Sequence, residues 1–230
     1  MSQSFYDRIL VGGFCAFKTD LKLLAEVFSE WQNNVVLSSV PDKVVIEKLS
    51  GAPSQLLDII NPLVSPVITK WLFLEIGNGW ILAVDNGRGG TDAGIAPILS
   101  RKCECLAIRV LSVLHTFNAK NGSGRYGAEI FESYLNGDET RVIYCANDGG
   151  KWKFGQSGVP YSIEDVSRYS QKPIRERFTQ KELQVILQHL DVHADRLREN
   201  TTSHTVGFLV TRIGPAFGEY KEYSERFGED

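Results

Sequence analysis

The sequence predicts an α+β domain: an antiparallel sheet built from about residues 70–155, flanked by helices from the N- and C-terminal regions. Three observations predict it. Short apolar runs in the middle of the chain meet at Asn78-Gly79, Asn136-Gly137 and Asp148-Gly149, dipeptides that reach the positive φ angles of tight hairpins. The segments before and after carry apolar residues at helical spacing. Composition shifts along the 230 residues without a recognisable linker, and 43% hydrophobic content suffices for one core, so a single domain is expected. It divides into a helical part (1–66), a β-rich middle (67–157) and a helical or mixed C-terminal part (158–230).

The elements follow in chain order. "TDLKLLAEVFSEWQNN" places Leu21, Leu24, Ala25, Phe28 and Trp31 on one helical face, with Thr19 or Asp20 to cap it and Asn33 and Asn34 to stop it. Between Pro41 and Pro66 four prolines break an apolar stretch, which reads as short helices near 42–49 and 54–60. "KWLFLEI" and "WILAVD" form a hairpin around Asn78-Gly79, and "CLAIRVLSVLH" is long enough for an inner strand. "RYGAEIFESYL", "TRVIYCAN" and "KWKFG" continue as a meander. Ser162 with Asp165, and Thr179 with Glu182, have capping-box spacing; the second pair precedes Leu183, Ile186, Leu187 and Leu190 on one face. "TVGFLVTRI" reads as a late strand and "EYKEYSERFGED" as a solvated helix or frayed end. Trp71, Trp80 and Trp152 each begin a strand and are expected to be buried. "EIGNGWILAVDNGRGG" and "CANDGGKWKFGQSGVP" repeat one order of strand, glycine turn, Trp and strand, which hairpin physics accounts for without duplication.

A net charge of -3 gives no bulk pull towards nucleic acid or anionic membrane, so both are disfavoured as partners. The first twenty residues lack a basic leader, and no run approaches the roughly 20 apolar residues of a membrane span. A cytoplasmic protein is expected. Cys15, Cys103, Cys105 and Cys145 then read as reduced core thiols, since "CEC" lacks the further ligands of a zinc site. No cofactor motif is present.

The glycine-rich "DNGRGGTD" is the principal candidate site. It fails as an EF-hand, with glycines at the third and fifth positions and Ala96 at the twelfth. No Gly-Lys-Ser/Thr makes it a phosphate loop, and the glycine spacing is wrong for a dinucleotide fold. It reads chiefly as a turn, with Thr91 or Asp92 capping a following helix and Arg88 without structural duty. As a ligand site it would use Asp85 and Asp92 as carboxylates, Arg88 as an anion clamp beside Gly89 and Gly90, and Arg141 from the sheet. His189 and His193 are four apart, but the helix is expected to end near Asp191, leaving surface histidines. "RYSQKPIRERF" interleaves Arg168, Lys172, Arg175 and Arg177 with aromatics and reads as a solvated linker. No catalytic constellation is evident.

"GWILAVDNGRGGTD", "RVIYCANDGGKWKFGQSGVPYSIE" and "RERFT" resemble the pattern of an uncharacterised group of bacterial proteins, over roughly residues 70–190. That resemblance brings no catalytic residues; by analogy with small α+β bacterial proteins it implies an immunity-type role. Two readings follow. The first is a protein-binding module, in its immunity form a toxin-neutralising one, whose acidic balance suits a basic partner. The second is a small-ligand protein or enzyme using the Asp85–Asp92 loop. Convergence of those side chains in one concave pocket separates the two.

Overall fold

The computed structural model describes residues 13–194, 204–215 and 219–224. Its fold is mixed α+β, dominated by a nine-stranded sheet in which every pairing is antiparallel. Strands β1 (Phe14–Lys18), β2 (Lys43–Gly51), β4 (Lys70–Gly77), β5 (Trp80–Asp85), β6 (Leu106–Val113), β7 (Ala128–Leu135), β8 (Asp138–Asn147), β9 (Trp152–Gly158) and β10 (Thr205–Ile213) are arranged β2-β10-β4-β5-β1-β6-β7-β8-β9. A second sheet pairs β3 (Leu63–Ser65) with β11 (Lys221–Tyr223).

Helices cover both faces of the centre. One face carries α1 (Leu21–Trp31) and α3 (Ile95–Lys102), whose Leu24, Phe28, Ile95 and Leu99 pack on Phe17, Phe73 and Ala83. The other carries α2 (Pro53–Asp58) and α4 (Gln180–His189), whose Leu56, Leu183 and Ile186 pack on Leu72, Leu82 and Val110. This two-sided cover explains why Trp71–Leu74 of β4 and all of β5 are continuously buried: neighbouring residues point to opposite faces, and both faces are dry there. Asp20 caps α1 by accepting from the Leu23 amide at 2.8 Å. Thr179 and Glu182 form the capping box that the spacing predicts for α4.

Four expectations are corrected. Among the described residues before 67, strands alternate with the helices: β1, β2 and β3 lie there beside α1 and α2, and β2 replaces the helix expected near 42–49. Val44, Val45 and Ile46 are β-branched and fit a pleated surface better than a helical turn. Asp165, not Ser162, caps the short 3₁₀ turn Val166–Ser170. Within the charged tail Lys221–Tyr223 is a strand, and residues 225–230 lie outside the described residues. Trp71 and Trp80 are buried, but Trp152 is only half-buried because β9 is an edge strand.

Candidate functional site

The Asp85–Asp92 segment leaves the end of β5 and is held from within. Asp85 is fully buried; its Oδ1 accepts from the Gly87 amide at 2.8 Å and its Oδ2 from the Asp92 amide at 2.9 Å, closing the loop on one carboxylate. Asn86, also fully buried, fills all four positions of its amide. Its Oδ1 accepts from the Thr69 and Lys70 amides, each at 3.0 Å, and its Nδ2 donates to the Pro62 carbonyl at 3.1 Å and Thr69 Oγ1 at 2.9 Å. The Asn86 carbonyl accepts from the Val64 amide, and the Arg88 amide donates to the Val64 carbonyl, so the loop runs beside β3. Gly87 has no room for a side chain to spare: a Cβ there would lie 3.0 Å from Asp85 Oδ1. Gly90, at φ 100°, makes the left-handed reversal.

Two assignments change here. Neither Thr91 nor Asp92 caps the next helix: α3 begins after Gly94 without a side-chain cap, and Asp92 instead accepts from the Gly94 amide at 2.8 Å. Arg88 does have a structural duty, because its guanidinium lies 3.9 Å over the ring of Tyr223 on β11. Gly89 and Asp92 are exposed at the loop's rim. The amides of Gly87, Asp92 and Gly94, which an anion would need, already serve carboxylates of the loop itself.

Arg141 does not join this loop. It lies on β8, four steps along the sheet from β5, about 19 Å at roughly 4.8 Å per step. Its buried guanidinium forms a two-pronged pair with Glu164, Nη2 to Oε2 at 2.6 Å and Nε to Oε1 at 3.1 Å. Gln156 Oε1 and the Ser157 carbonyl take Nη1, and Tyr169 bonds both Arg141 and Glu164. Burial and then the neighbouring Glu164 push the Tyr169 phenol up to about 12, so it remains a donor. This network fastens residues 159–170 across β8 and β9. Above it a cleft of about 240 Å³ opens between the 3₁₀ turn and α4, lined by Glu164, Arg168, Tyr169, Phe178, Lys181 and Glu182. Arg168 in that cleft pairs with Glu182 at 3.4 Å and donates to the Glu176 carbonyl, and Arg177 donates to the Gln171 carbonyl. Half of the basic run 168–178 is thus bonded within the fold, while Lys172 and Arg175 are exposed.

Glu129 was not singled out by the sequence. It points from β7 into the core beside Cys145; Oε1 accepts from the Ser112 hydroxyl at 2.9 Å, while Oε2 has no hydrogen-bond partner among the described residues. Burial pushes its carboxyl up to about 8. Only its place opposite Ser112 and Cys145 in the register makes it visible. The cysteines are free thiols: burial raises Cys105 to about 12 and Cys145 to about 11, and the Cys145 thiol donates to the Ile174 carbonyl. His193 bonds Asp191 at 2.7 Å beyond the end of α4. No group of three metal-ligating side chains occurs among the described residues, and no helix among them is long and apolar enough to cross a membrane. Compared with known protein families, with curated proteins and with solved structures, the chain matches none.

Proposed function

We propose that the chain is a protein-binding module whose partner adds to the sheet along β2. The carrying observation is that, among the described residues, β2 ends the sheet with no strand on its outer side. Asn33 accepts from the Val44 amide at 2.8 Å and donates to the Val44 carbonyl, so Val44 turns its backbone groups away from β10. Antiparallel pairing alternates, so Ile46, Lys48 and Ser50 present theirs to the same open side. Apolar side chains gather around this edge: Val35 is 60% exposed, Val36 48%, Val45 45% and Ile213 39%. A partner strand gains main-chain hydrogen bonds at such an edge, and flanking apolar contacts add selectivity.

The ligand reading of the Asp85–Asp92 loop finds the Gly87, Asp92 and Gly94 amides already bonded to the carboxylates of Asp85 and Asp92. The immunity-type role implied by the resemblance is one form of the binding reading, with a basic toxin as partner. Lys48→Pro tests the docking mode, because an outward amide can be deleted without breaking the β10 ladder. The expected result is an unchanged thermal midpoint and loss of the partner captured by the unaltered chain. Equal capture by Lys48→Pro and by a Val35→Glu/Val36→Glu variant would sink the reading.

A further inference from the structure

The far end of the sheet from the β7–β8 turn carries a second exposed surface of different chemistry. There the β6–β7 connection (114–127) and the β8–β9 turn (147–151) meet. The connection is an ordered extension: the Thr116 and Phe117 amides donate to the Arg125 carbonyl, and the Asn118 amide to the Ser123 carbonyl. Phe117 and Tyr126 stack with centroids 4.3 Å apart and ring planes 28° apart. His115 lies between Tyr126 and Trp152, at 6.3 and 5.5 Å. Tyr126 reaches over Gly149, and the Asn147 amide donates to the Gly127 carbonyl, so the two loops form one tip.

Three properties of this tip belong together. Its rings are accessible, with Tyr126 37% exposed and Phe117 and Trp152 half-buried. Its charge is cationic against the trend of an acidic chain: Lys153 pairs with Asp148 at 2.6 Å, the one carboxylate of residues 114–127 and 147–153, and the exposed Lys120 and Lys151 remain beside Arg125. Glu129, at the start of β7, is held near neutrality by burial and subtracts little from that charge. Gly122 and Gly150 leave the approach open, and nothing lies within 4 Å of a Cβ built at either. Arg177 over Phe154 continues the positive charge along β9, two residues from Trp152.

We propose that this tip docks single-stranded nucleic acid, with bases stacking on the Phe117–Tyr126 pair and Trp152, and phosphates drawn to the exposed Lys120 and Lys151. The occupant follows from charge complementarity together with the rings. An acidic peptide would satisfy the cations and leave the aromatic faces unused, whereas a single strand brings both planar bases and phosphates. The surface is small and its affinity modest, since about two phosphate contacts supply the electrostatic part.

The test is fluorescence anisotropy of a labelled oligothymidylate of roughly 15 nucleotides, a length matched to small single-strand sites, with the full chain. The expected result is saturable binding that weakens severalfold or more between about 50 and 200 mM salt. Tyr126→Ala should weaken it by about tenfold, within the range for one stacked base. Lys120→Glu/Lys151→Glu, at exposed positions that keep the fold intact, should abolish it, while Lys43→Glu/Lys48→Glu on β2 should not. Absence of binding at low salt, equal binding by the Lys120/Lys151 variant, or displacement by polyglutamate as readily as by unlabelled oligothymidylate would overturn the proposal.

Discussion

The hairpins β4–β5 and β8–β9 read alike in the sequence and live in different surroundings. Each is strand, glycine turn, Trp, strand and second turn. In β5 every residue is buried, and Trp80 is sealed in the core with its Nε1 donating to the Leu190 carbonyl at 3.0 Å. In β9 no residue is fully buried, and Trp152 stands beside His115 at the open tip. The buried carboxyls near the two hairpins differ in the same way. Asp85 accepts from two amides and binds a loop shut, whereas Glu129 accepts from one hydroxyl and leaves an oxygen unbonded. Local sequence makes the hairpin; the number of layers around it decides what its residues do.

The sharpest test of this contrast is the tryptophan pair. Trp80→Ala should lose about 3–5 kcal/mol in chemical unfolding, as large core truncations do. Trp152→Ala should lose no more than about 1–2 kcal/mol. Equal losses would break the comparison. Asp85→Ala comes next, leaving the buried Gly87 amide and the part-buried Asp92 amide without acceptors and lowering stability by about 2–5 kcal/mol. Glu129 supplies a pH-dependent test. Its folded carboxyl titrates near 8, above its ordinary 4.5. The folded state therefore holds a proton that the unfolded state releases, and stability falls as pH rises from about 4.5 to about 8. Thermal midpoints across that window should show the slope, and Glu129→Gln should flatten it. The smallest effect is expected at the loop's rim, where Arg88→Ala removes a ring contact of about 0.5–1 kcal/mol. A loss above 2 kcal/mol by the same unfolding measurement would give Arg88 a larger part than its stacking on Tyr223 explains.

What the sequence revealed follows from range. The Asn-Gly and Asp-Gly turns, the α4 capping box and the apolar runs of β4, β5 and β6 are local signals, and each led to the right element. β2 escaped because an edge strand exposed on both sides shows no clean alternation; its β-branched Val44-Val45-Ile46 was the available clue. β1 escaped because "FCAFK" is short and follows a glycine pair. The candidate loop was legible as a turn, but not the reason for its shape. Asn86 is held by Pro62, Val64, Thr69 and Lys70, contacts that arise only once β3 and β4 have packed. The partners of Arg141 are invisible in its local sequence because Glu164 and Tyr169 follow 23 and 28 residues later.

The strand order carries a consequence for synthesis on the ribosome. β10, made long after β2 and β4, is the strand that separates them. Until residue 213 has emerged, β4 has no neighbour on that side, and its apolar "WLFLEI" remains an unzipped edge. Completion of the sheet waits until β10 has left the ribosome, and until then the unpaired side of β4 is a surface that chaperones can hold. Chains stalled before β10 should be held by ribosome-associated chaperones, and chains stalled with β10 fully outside the exit tunnel should be released by them.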